Sequence, residues 1–125
     1  MMKIFIVLAS LSACLAVVLG AFAAHALKEK LSPDMFNIWE VGVRYHMYHA
    51  LGLFVVAWVV AHFPESSAPI AGWFLIGGTV IFSGSLYALS LTGERWIGAI
   101  TPVGGVCFLI GWVWLAWSVW RSSGG

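Results

Sequence analysis

IFIVLASLSACLAVVLGAFAAHAL, residues 4–27, runs for 24 positions without an Asp, Glu, Lys or Arg. Three more stretches share that property: Tyr45–Pro64, Ser66–Gly93 and Trp96–Trp120. Each is as long as, or longer than, the roughly 20 residues with which a helix crosses the hydrocarbon core of a bilayer. Only helices or closed barrels satisfy their backbone groups in lipid. Continuous apolar runs without two-residue alternation exclude the barrel. The chain therefore reads as all-α: an integral membrane four-helix bundle of two antiparallel hairpins. Its 125 residues, 62% hydrophobic and 9% charged, leave room for one bundle and no soluble domain. A net charge of +1 with no basic run points away from nucleic acid and from a lipid-headgroup patch.

Working outward from these runs, helices are expected over about 3–26, 33–63, 69–91 and 96–120, in a single domain spanning 1–125. Ser32-Pro33-Asp34 is a strong helix start: N-cap, proline in the first turn, and an acid near the positive end of the dipole. From Pro33 to Phe63 the pattern is too long for a straight crossing. Met35, Phe36, Ile38, Trp39 and Val43 share a face, which predicts a short interfacial helix bending at Gly42 into the second span. Glu40 and Arg44, four apart, are expected to pair. Pro102 falls in the first turns of the fourth helix, and Arg121–Gly125 form a polar tail. Lys28, Lys30, Arg44 and Arg95 collect at loops 1 and 3, against Lys3 and Arg121 at the termini. The positive-inside rule then puts both termini outside.

Cys14 and Cys107 fall inside spans and read as small hydrophobes. Leu11-Ser12-Ala13-Cys14 has the outline of a lipoprotein signal, so lipidation of Cys14 stays open. The apolar run continues to Ala24 behind a single Lys3, however, and favours a plain helix. A signal cleaved in the Ala-rich stretch after Gly20 would leave an odd number of spans and is not expected.

The intramembrane polar residues segregate. His25 closes the first helix; Tyr45, His46, Tyr48 and His49 open the second crossing; Ser83, Ser85 and Tyr87 lie late in the third; Thr101 begins the fourth. Polar groups in hydrocarbon are costly unless they face one another, the bundle interior or water. These nine residues therefore predict a ligand-binding pocket at the loop 1 and loop 3 end. His46 and His49 share a face, and His25 would meet them across the hairpin, so a metal or haem on His25, His46 and His49 is an alternative. No acid or thiolate stands beside them. The simpler reading has His25 and His49 hydrogen-bonded across helices or to carbonyls, with His46 and His62 at interfaces. Small residues at four-residue spacing (Gly20 and Ala24, Ala68 and Gly72, Gly84 and Ala88, Cys107 and Gly111) suit close helix packing. Gly77-Gly78 and Gly104-Gly105 read as thin, flexible points, and Trp117 and Trp120 suit an aromatic belt.

GAFAAHALKEKL (20–31) with WEVGVRYHMYHALGL (39–53), then FSGSLYALSLTG (82–93) with ITPVGGVCFLIGW (100–112), resembles the two hairpins of the YgdD/YwdK-like family of small bacterial inner-membrane proteins, a domain of unknown function. The resemblance covers essentially the whole chain. It implies four helices and the inner membrane, and no activity. Its matching positions include His25, Tyr48, His49, Ser83, Ser85, Tyr87 and Thr101. Gly20–Leu27 and Gly84–Leu91 also share a small-residue pattern, the mark of a weak internal repeat. No nucleophile adjoins a base and an orienting acid, so an enzyme is not expected. No carboxylate lies in the charge-free runs, which counts against a transporter or channel. A non-catalytic binding or accessory protein is the expected class, with membrane lipids, a homo-oligomer or a larger membrane complex as partners and no cofactor specified.

Overall fold

The computed structural model describes residues 1–123; Gly124 and Gly125, the end of the polar tail, lie outside the described residues. Helix α1 (Met2–Phe22) runs on into a single π turn, Ala23–Leu27, closed by the Lys28 N–H on the Ala23 carbonyl at 3.0 Å. Helix α2 (Pro33–His62) starts where the cap predicts. Ser32 is extended, and its Oγ accepts the Met35 N–H at 3.2 Å. Helix α3 (Ala68–Thr92) ends at Gly93, whose φ of 72° lets its N–H reach the Leu89 carbonyl at 2.8 Å. Helix α4 begins at Thr101, not at Trp96, and runs to Arg121; Arg95–Ala99 form a 3₁₀ turn before it. Pro102 sits in the first turn of α4, where no intrahelical donor is lost, so it leaves no kink. Among the described residues, four helical segments are long and apolar enough to cross a membrane.

The segment expected to lie in the interface is the first part of α2, which passes through Gly42 as unbroken helix. Trp39 explains this. Its ring is buried among Ala23, Leu27 and Tyr87, and its Nε1–H donates to the Leu19 carbonyl at 3.1 Å. On that apolar face Trp39 packs against neighbouring helices, while Met35, Phe36 and Ile38 are half-buried. Glu40 and Arg44 are both exposed, and no ion pair joins charged side chains among the described residues.

Consecutive helices pack in order, α1 on α2, α2 on α3 and α3 on α4. The α2–α3 pair is the interior of the molecule. Between them these helices bury twenty residues, against three on α1 and five on α4. Aromatic rings seated on glycines make the contacts close. A Cβ on Gly72 would stand 2.5 Å from Phe5, on Gly78 2.6 Å from Phe108, on Gly42 2.9 Å from Tyr87, and on Gly52 2.9 Å from Trp112. A Cβ on Gly104 would strike the backbone N of Phe82. Gly78 and Gly104 are thus points of contact, not of flexibility. Gly84, expected to pack a helix, has open space before it. Without a hydrophobic drive between helices in lipid, this interlocking supplies much of their association.

Candidate functional site

His46 and His49 are one helical turn apart on α2, yet they serve opposite sides of the molecule. His46, 4% exposed, looks between α1 and α3. Its Nε2 is 3.1 Å from Ser12 Oγ and its Nδ1 is 2.9 Å from Tyr87 Oη. His49, 6% exposed, looks toward α4. It stacks on Phe108 with centroids 3.5 Å apart and planes within 5°. Its Nε2 accepts the Trp112 indole N–H at 3.0 Å, and its Nδ1 is 2.7 Å from the Tyr45 carbonyl.

The two hydrogen-bond sets differ in what they leave over. Indole N–H only donates and a carbonyl only accepts. His49 is therefore neutral with its proton on Nδ1, and both of its nitrogens are used. The Ser12–His46–Tyr87 set holds three donor hydrogens, one from each side chain, but only two contacts. If His46 donates to Tyr87 and accepts from Ser12, the Tyr87 proton is free. In the other tautomer the Ser12 proton is free. Neither hydroxyl has another partner. One hydroxyl hydrogen thus remains without an acceptor in either case, on a surface where hydrocarbon provides none.

That surface is a groove of about 450 Å³ between α1 and α3. Leu8, Leu11, Leu15 and Leu19 form one wall, Ile76, Val80 and Gly84 the other, and Ser12, His46 and Tyr87 line it as well. Gly84 finds its role here, because a side chain at that position would narrow the groove. Ser83 also lines it, but its hydroxyl is committed to the Gly42 carbonyl at 2.7 Å. A second, shallower groove of about 600 Å³ lies between α2 and α4. It is lined by Tyr45, Tyr48, His49, Phe82, Phe108 and Trp112 among others, and is almost wholly apolar.

The nine candidate residues therefore divide. His46, Ser83 and Tyr87 belong to the α1/α3 groove; Tyr45, Tyr48 and His49 belong to the α2/α4 groove; Ser85 and Thr101 bond each other and tie α3 to α4. His25 joins neither set. It is exposed near the loop, 13 residues beyond Ser12 on its helix, or about 20 Å along the axis. The expected meeting of His25 with His49 does not occur, and the three histidines do not converge. No group of three His, Cys, Asp or Glu side chains suited to a metal forms among the described residues. Depth is corrected as well. His46 is level with Ser12, about 15 Å from the start of α1, so its contacts lie midway along α1 and α2 and not at one end. His46, expected at an interface, is buried like His49; His49 matches the simpler reading of a histidine bonded across helices. Ser12, Phe108 and Trp112 were missed. Ser10 and Ser12 are the two hydroxyl residues of the apolar first span, and nothing local singled out Ser12. His62 is exposed, stacked on Trp58 with its Nδ1 2.9 Å from the Trp58 carbonyl.

Residues 19–105 match the family described as Protein of unknown function (DUF423). The chain belongs to the DUF423 family. The UPF0382 membrane protein YwdK of Bacillus subtilis is 52% identical over 113 residues, 90% of this chain and 92% of its own. A UPF0382 membrane protein of Staphylococcus epidermidis is 48% identical over 123 residues, 98% of this chain and all of its own. Another, from Staphylococcus aureus, is 42% identical over the same length. No solved structure matches. The DUF423 match takes in His46, His49 and Tyr87, while Ser12 and Trp112 lie outside it. With four spanning helices and relatives named as membrane proteins, this DUF423 chain is a membrane protein.

Proposed function

We propose that the protein is a non-catalytic binding or accessory protein of the bacterial inner (cell) membrane, and that it holds a hydrophobic molecule in the α1/α3 groove over Ser12, His46 and Tyr87. The observation that carries this reading is the unmatched hydroxyl hydrogen. A polar hydrogen facing hydrocarbon is unfavourable, and a ligand carrying an acceptor such as a carbonyl on an apolar body relieves it. The groove walls are leucine-rich, so the body of the ligand is apolar, and a lipid or a quinone-like molecule fits that chemistry. Ser12 adjoins His46, but the group on the other ring nitrogen is the Tyr87 hydroxyl and not a carboxylate that would stabilise an imidazolium, so binding accounts for the site better than turnover. A metal or haem reading loses its support, because His49 has both nitrogens engaged and His46 stands on the other side of α2.

The test is mass spectrometry of what co-purifies with the protein in native lipid nanodiscs. Wild type is expected to carry an enriched hydrophobic species, and His46→Leu to lose most of it while staying folded. Equal content in both, or no enrichment over bulk lipid in wild type, would overturn the proposal.

A further inference from the structure

Glu40 and Arg44 stand on the exposed face of α2 and line neither groove, although Tyr48 on the same face borders the α2/α4 groove. Their depth follows from the contacts on either side. Trp39 reaches the Leu19 carbonyl and His46 reaches Ser12, so residues 40–45 lie level with 13–18 of α1. There α1 exposes Leu15, Val17 and Val18. On the other flank, Ser83 bonds the Gly42 carbonyl and Ser85 bonds Thr101, so the start of α4 is at the same level; it exposes Ile100 and Val103. A carboxylate and a guanidinium thus interrupt the lipid-facing apolar belt, each without an ionic partner among the described residues. Charges in that position are costly and mark a functional surface by default.

The stripe continues along α2. Asn37, Glu40, Arg44, Tyr48, Leu51, Val55 and Trp58 repeat at three- and four-residue steps and are all exposed. This is the spacing with which one helix meets another of the same kind. We infer that this face of α2 is the interface of a parallel two-fold dimer, in which Glu40 of each copy pairs with Arg44 of the other. The two residues are four positions apart, about 6 Å along the axis, within reach of these long side chains. A two-fold axis along the membrane normal makes the contact twice and leaves no charge over. An anionic lipid would answer Arg44 alone and be repelled by Glu40. The presence of both signs on one turn therefore favours a second copy.

The experiment counts subunits of the full-length protein in lipid nanodiscs by mass photometry, with circular dichroism to establish that each variant is folded. Wild type is expected to be dimeric. Glu40→Arg alone and Arg44→Glu alone set like charges opposite one another and should shift the population to monomer by at least tenfold. The double swap should restore the dimer. A Leu51→Cys variant lacking Cys14 and Cys107 should form a disulfide-linked dimer in membranes, and Val113→Cys on α4 should not. A monomeric wild type, or a double swap that stays monomeric while folded, overturns the dimer. Loss of bound anionic lipid on Arg44→Glu with no change in subunit number would assign the face to lipid instead.

Discussion

His49 ties α2 to α4 inside the membrane domain, and its contacts fix its tautomer. Trp112 on one side and the Tyr45 carbonyl on the other leave it one arrangement of its proton. Trp112→Phe would keep most of the ring and strand the His49 Nε2 without a donor. The expected cost is on the order of 1 kcal/mol, the value of one interhelical hydrogen bond in a membrane. His49→Ala also removes the stacked contact with Phe108 and leaves a cavity, so about 2–3 kcal/mol is expected. Unfolding in mixed micelles measures both. A chelator should leave both wild-type and variant curves where they are, because the ring has no nitrogen free for a metal. The residue types at these positions were visible in the sequence, but their partners were not. His46 and His49 are three apart, and that spacing is shared equally by two ligands of one metal and by two side chains that diverge around a helix.

At the scale of the helix, the glycines decide how closely each pair can pack. Gly104 and Gly77 make the sharpest comparison. A methyl group on Gly104 meets the Phe82 backbone, which cannot move without shifting α3, whereas one on Gly77 meets nothing within 4 Å. Gly104→Ala should destabilise by about 2 kcal/mol, an overpacking cost. Gly77→Ala should be neutral or gain up to ~1 kcal/mol from helix propensity. Thermal melts of the two variants in the same detergent check the contrast; equal melting temperatures would argue against the α3/α4 contact. The small-xxx-small rule found Gly72 and Gly111 and missed Gly42 and Gly52. Their nearest partners are the Tyr87 and Trp112 rings, far along the chain, so no local spacing announces them. The Ser32-Pro33-Asp34 start was legible because a cap is made within one turn of itself. The burial of Trp39 was not, because what an amphipathic segment packs against depends on what stands opposite.

For the whole molecule, orientation in the bilayer rests on few charges. With Arg44 inside α2, Lys28, Lys30 and Arg95 at one end oppose Lys3 and Arg121 at the other. Both termini are expected outside, and a periplasm-active phosphatase fused after residue 125 should be active; activity only of a cytoplasmic reporter there would reverse the orientation. The four spans, their all-α character, their turns and their order were determined by the sequence alone. Each follows from a local condition: twenty uncharged residues in hydrocarbon satisfy their backbone only as a helix, and short loops return the chain antiparallel. What the tertiary structure decided was which side of a helix each polar residue serves. His46 opens to a groove that nothing in its own segment reveals, because that groove is built by Leu8 to Leu19 and Ile76 to Tyr87, more than twenty-five residues away on either side. His49 is closed off by Trp112, 63 residues along the chain. Hydrogen-bond balance is a property of groups that meet in space, and the spacing of residues along one helix carries no information about its partner on the next.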